Sequence, residues 1–296
     1  MAEWSPWIVA IVLNKYLLYL AIAASAGSIF MLVQAQAKSL HPFSRSYGGY
    51  GSVIGLVLAI VDFFLQVGLF ADSGLAGLVD SSYLLMIWDS PLGMQLVWRV
   101  LGFLLLIFVI GWSLKQKQML RWQGLLVAIL ALILLCLGGL QAGHTVEQGL
   151  GVHLALTVHF LLGLWWMGCL WPLAVSCQFL EPVDLQVLMQ RFGTIASVLV
   201  PILLVAGLGL AYTLIGSWQH LFTNTHGQFL LAKISFVASL LGLAAYHKLK
   251  IVPQLRESKQ AAVLQRSIYW EMSVGSSVLL LTAVLSSMFG PAAYNE

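Results

Sequence analysis

Polar and turn residues cut the chain into eight apolar runs, each long enough to cross a lipid bilayer as a helix. The runs cover approximately 7–34, 50–71, 93–114, 120–141, 150–178, 192–216, 227–247 and 267–289. A helix needs about 20 mainly apolar residues to traverse the hydrocarbon, whereas a membrane β-strand would alternate over about ten. The expected fold is an all-α integral membrane protein, a bundle of eight transmembrane helices forming a single membrane domain over 1–296. Composition agrees: 60% of residues are hydrophobic, 8% are charged and mean hydropathy is +0.92, against roughly a quarter charged in soluble domains. This excludes a soluble domain and a disordered region. It also excludes a nucleic-acid binder, because fourteen Lys and Arg are too few and too dispersed for a phosphate-binding face. Cys136, Cys169 and Cys177 lie in apolar runs without a C-x-x-C pair and read as buried apolar residues rather than a disulfide framework.

Ala24-Ser25-Ala26 resembles a signal-peptide cleavage site, yet Glu3 stands in the head and Lys15 interrupts the run, so this segment reads as a retained anchor. Orientation follows from the basic residues, since loops rich in Lys and Arg stay cytoplasmic. Lys38 and Arg45, then Lys115, Lys117 and Arg121, then Arg191, then Lys248, Lys250, Arg256, Lys259 and Arg266 occupy alternate loops, eleven of the fourteen. The other loops and both termini carry Glu3, Asp72, Asp80, Asp89, Glu147 and Glu296 and no Lys or Arg. Both termini are expected outside.

A weak repeat relates Ser90-Pro91-Leu92-Gly93, with Arg99 six residues beyond the glycine, to Asn224-Thr225-His226-Gly227, with Lys233 six beyond. It suggests halves 1–141 and 142–296 in parallel repeat. The 72–92 loop, with Gly74, Gly77, Trp88 and Pro91, suits an interfacial lid or an ordinary surface loop.

Charges facing lipid cost several kcal/mol each, so intramembrane ionisable residues mark sites. Lys15, Arg99 and Lys233 fall roughly 9–12 Å below the outer surface at helical rise. Asp62 lies near the middle of span two, and His159 comes at a similar depth in span five. His153 starts that span, while His144, His220 and His226 belong to outer loops. The simplest account is an outward-opening polar vestibule of histidines with Asp62. His41 and His247 stand beside basic residues on the inner side and read as solvated loop positions. Glu271, within a turn of Arg266, reads as a polar group at the inner end of span eight. Each also has a structural reading: Lys15 and Arg99 could snorkel, Asp62 could pair with one of them, and His159 could bond a neighbouring helix.

Imidazole suits copper, zinc, iron and nickel, and thioether sulfur favours Cu(I). His153 and His159 are about 120° and roughly 9 Å apart on a helix, so a shared ion needs ligands from elsewhere, such as His144 or His226. Met167, eight residues after His159, lies on nearly the same face, as a deeper thioether ligand or as core filler.

Ala142-Gly143-His144, then His153-Leu154, then His159-x5-Trp165-x2-Gly168-x-Leu170 resembles the core of the bacterial CopD/PcoD copper-resistance membrane proteins. Phe192, Thr225-x-Gly227-x5-Lys233, Pro253-x-Leu255, Arg266-x4-Glu271, Ala283-x-Leu285 and Pro291 look like its later part. The resemblance implies an inner-membrane protein of copper uptake and homeostasis, with a periplasmic CopC-like carrier as partner and His144, His153 and His159 as copper ligands. His226 replaces an aromatic residue of that pattern, Thr157 stands where an Asp is common, and no CopC-like domain is fused.

Lys15, Arg99 and Lys233 would repel a metal cation in the same layer. They would better suit the propionates of a b-type haem held by two histidines, which makes a haem electron-transfer protein the alternative. An enzyme is not expected. H-E-x-x-H, G-x-S-x-G and Walker sequences are all missing from the chain. The expectation is a protein that binds copper at a periplasm-facing histidine vestibule and moves it across the inner membrane.

Overall fold

Helix α1 (Pro6–Leu32) starts where Ser5 caps it, its hydroxyl accepting the Ile8 amide at 3.3 Å, with Pro6 pre-set for the first turn. Its far half, Ala21 to Ser28, is almost wholly Ala, Ser and Gly, and such small residues let neighbouring helices approach closely in a bilayer. Helix α2 (His41–Ala71) answers with its own small-residue stripe. Ser25 and Ser52 hydroxyls meet at 2.9 Å, and Ser28 donates to the Ser44 carbonyl at 2.7 Å. These contacts explain why α2 begins at His41, earlier than the apolar run at 50: Ser44 and Gly48 pack against α1 although they are not apolar.

The computed structural model describes residues 5–116, 122–140, 149–215, 225–255 and 260–288, and among them every regular element is helical. After α2 the chain turns at Asp72, in the left-handed region at φ 44°, and at Gly74, at φ 64°. A 3-10 turn (Gly74–Val79) and a short helix α3 (Ser81–Trp88) follow, the latter capped by Asp80 accepting from the Ser82 and Tyr83 amides. Ile87 and Tyr83 of α3 pack against Phe63 and Val67, so the 72–92 segment folds down onto the bundle as a cover. The remaining helices are α4 (Pro91–Gln116), α5 (Trp122–Leu140), α6 (Leu150–Phe179), α7 (Pro182–Ile215), α8 (Thr225–Tyr246) and α9 (Gln260–Met288). A π-helical turn (His247–Ile251) and a 3-10 turn (Val252–Gln254) follow α8.

Seven of these segments are long and apolar enough to cross a membrane, and α5 is a shorter apolar helix along Trp122–Leu137. Helix α1 is central, touching α2, α5, α6 and α9, while α7 and α8 stand at the periphery with mostly uncovered surfaces. Leu13, Leu17, Val53, Val57, Val198 and Val205 are among the exposed apolar side chains, as lipid-facing helices require.

Gly27 of α1 and Gly168 of α6 bring the two backbones together. A Cβ on Gly168 would collide with the Ala23 carbonyl, and one on Gly27 with the Gly168 carbonyl. Beside this crossing, Trp165 packs on Phe30 and Phe192 at ring separations of 5.9 and 5.5 Å. The tryptophan, the glycine and Phe192 of the sequence pattern are thus packing residues. Replacing Gly168 by Leu forces backbone apart from backbone, and should destabilise the bundle by about 3 kcal/mol or more, read as a loss of the folded fraction in detergent-unfolding titrations.

Candidate functional site

Two buried polar groupings emerge, and they divide between them Lys15, Asp62, Arg99, His159, Lys233 and Glu271. The first lies among α1, α2 and α4, towards the end of the bundle that α3 covers. Arg99 Nη1 bonds Asp62 Oδ2 at 2.5 Å, and Asn14 Nδ2 donates to Asp62 Oδ1 at 3.4 Å and to the Leu58 carbonyl at 3.1 Å. Asp62 is 2% exposed and Arg99 5%, so the pair is shielded from solvent and each charge depends on the other. Lys15 lies nearby, its Nζ donating to the Ser286 carbonyl of α9 at 3.3 Å. The pairing of Asp62 with one of the two cations is therefore with Arg99.

The second grouping lines a cavity of about 230 Å³ between α6, α7, α8 and α9, whose lining includes His159, Met167, Gly207, Lys233, Glu271 and Gly275. His159 is held by Leu203 of α7, whose carbonyl lies 3.1 Å from Nδ1. A carbonyl oxygen only accepts, so Nδ1 carries the proton and the neutral ring keeps a lone pair on Nε2, the arrangement of a metal-ligating imidazole. Gly207 makes room for the ring: a Cβ there would lie 2.7 Å from His159 Cε1. Met167 sits eight residues along α6, its sulfur pressed against Gly275 of α9.

Glu271 closes the far end. Trp166 Nε1 donates to its Oε1 at 2.8 Å, and His247 Nδ1 lies 3.1 Å from its Oε2. His247 Nε2 meets the Ser267 hydroxyl at 2.6 Å. The expectation of solvated loop histidines is overturned at both positions. His247 is 9% exposed, because the π-helical turn folds it back onto Glu271. His41, 5% exposed, is buried with its Nε2 at 3.2 Å from the Gln34 carbonyl. Glu271 is likewise held by His247 and Trp166, while Arg266 is exposed.

The remaining candidates fall as follows. His153 is half-buried in the first turn of α6 and does not line the cavity. His144 and His220 lie outside the described residues, as does the side chain of His226, whose backbone is in the first turn of α8. Among the described residues no group of three or more His, Cys, Asp or Glu is placed to hold a metal ion. Lys233 shares the cavity with His159, whereas Lys15 and Arg99 belong to the other grouping, so the three cations do not form one ring.

Asn14, Trp166, Gly207 and His247 were missed in the sequence. Asn14 carried a signal, a polar residue beside Lys15 in an apolar run; the others acquire their roles from neighbouring helices.

Helices of this length enclosing buried ionisable side chains define an all-helical membrane protein with an internal polar site. Residues 186–285 match the family model CopD, described as Copper resistance protein D. The match agrees with the resemblance read from the sequence and spans most of α7, all of α8 and most of α9. It supplies three of the four helices around the His159 cavity, while His159 itself lies before it. Searches of curated proteins and of solved structures returned no match.

Removing the Trp166 donor tests the far end of the site. Trp166→Phe leaves a buried carboxylate oxygen short of a partner and should cost about 2 kcal/mol or more of stability in thermal unfolding, with a smaller cost in a Trp166→Phe, Glu271→Gln double variant.

Proposed function

We propose that the protein takes up copper at its periplasm-facing histidines and moves it across the bacterial inner membrane through the cavity of its C-terminal half. The observation that carries this reading is His159, its proton on Nδ1 and Nε2 free for a ligand, in a cavity formed mainly by the CopD-matching helices. The chain crosses the bilayer eight times with both termini outside, so the end covered by α3 faces the periplasm. His144, His153 and His226 gather copper there, delivered by a carrier of the CopC type, and His159 receives it inside. Met167, about 12 Å further along α6, offers a thioether to Cu(I). Glu271 and His247 then form the last polar station before the cytoplasm. Copper is cargo, and the protein is not an enzyme.

Lys233 is the cation that opposes copper in this cavity. This positive charge raises the cost of entry, since like charges repel. Its removal therefore serves as a test with a distinctive sign.

Copper binding by the purified chain and uptake by proteoliposomes both test the proposal. His159→Ala should weaken binding by more than the roughly 10–100-fold that loss of a supporting partner costs. Gly207→Val, which pushes the ring away from its seat, should approach the same loss with the histidine still present. Lys233→Met should bind copper more tightly than the wild type. Unchanged binding in the His159 variant would remove it as a ligand.

A further inference from the structure

The grouping around Lys15 has an unbalanced charge and an adjoining space. Two cations, Lys15 and Arg99, share one anion, Asp62, whose two oxygens are already taken by Arg99 and Asn14. Lys15 is 9% exposed and spends one of its three donors on the Ser286 carbonyl. It lines a cavity of about 420 Å³ beneath α3, with Gln66, Ser287 and the apolar Phe70 and Met86. The Ser287 Oγ is buried without a hydrogen-bond partner among the described residues. A water occupies about 30 Å³ of liquid, so the space exceeds a single water or monatomic ion.

The geometry points to a binding site for a phosphate-type oxyanion in this cavity, with Lys15 as its counter-charge and the Ser287 hydroxyl and Gln66 amide as further donors. An oxyanion presents several acceptor oxygens to a lining whose unused polar capacity is mainly donor. It also neutralises a buried charge that would otherwise cost several kcal/mol. The two cavities share no lining residue, so the site is separate from the His159 cavity. Free inorganic phosphate and the phosphodiester of an anionic lipid headgroup share this chemistry, the apolar rim at Phe70 and Met86 suiting the second.

Thermal unfolding of the full chain in a neutral maltoside detergent, titrated with inorganic phosphate at constant ionic strength, tests the site. The midpoint should rise saturably in the wild type, and Lys15→Met should lower the apparent affinity at least about tenfold, the scale of a hydrogen bond to a charged group. Without phosphate, Lys15→Met should be as stable as the wild type; a lysine needed only to bond Ser286 would make it less stable. In parallel, nanodiscs of phosphatidylglycerol in an uncharged glycolipid, read by native mass spectrometry, should show retained phosphatidylglycerol lost in Lys15→Met. Phosphate response alone assigns the free anion, and lipid retention alone assigns the headgroup. Should Lys15→Met not fold, Ser287→Leu obstructs the same cavity and must show the same loss. Neither response in the wild type, or equal responses in wild type and variants, overturns the proposal.

Discussion

The contact between Gly27 and Gly168 governs how this bundle is assembled. At that crossing the α1 and α6 backbones touch, which no side chain would permit. A membrane gives apolar helices little hydrophobic reason to associate, so close packing and buried polar bonds carry the association. With α1 seated against α6, Phe30 meets Trp165, Tyr16 meets Ser276, and Lys15 reaches the α9 backbone. The same seating fixes the height and rotation of α6, and so holds His159, about 13 Å along the helix, against α7.

That arrangement keeps two kinds of electrostatics apart. Around Asp62 the polar groups bond one another across α1, α2 and α4, with Arg99 Nε left without a partner among the described residues and Lys15 beside them. Around His159 the groups are spread along a mostly apolar cavity, with an imidazole and a lysine near one end and a held carboxylate at the other. Under the proposed function, a histidine, a thioether and a carboxylate spaced along this cavity would each hold a cation weakly and release it. The tightly bonded Asp62 grouping has no such freedom. The sequence-level conflict between three cations and a metal therefore narrows to Lys233, the one that shares space with His159.

The all-helical character and the membrane-length apolar helices were legible in the sequence because hydropathy reports both. The sequence placed Lys15, Arg99 and Lys233 in one outer layer with Asp62 nearer the middle of its span, whereas the structure joins Asp62 directly to Arg99. Rotation about each helix axis and the choice of neighbour were not legible, and these decide whether Lys233 joins Lys15 or His159. The same gap hid the Leu203 carbonyl and Gly207, which become partners of His159 only through the packing of α7 on α6. His247 was read from the charges around it as a loop residue; a π-helical turn, which has no clear sequence signature, returns it to Glu271. Helix α2 began nine residues before the apolar run from 50, because small polar residues pack as well as apolar ones between helices. His159 was singled out by its depth in the fifth apolar run and again by the resemblance to CopD, and the family match covers the three other helices that line its cavity.

Copper-edge X-ray absorption of the copper-loaded protein, compared with the His159→Ala variant, tests the central claim most directly. The account predicts imidazole scattering in the wild type and a reduced imidazole shell in the variant. An identical copper environment in both, or a preparation that holds iron with a haem spectrum in place of copper, would contradict it.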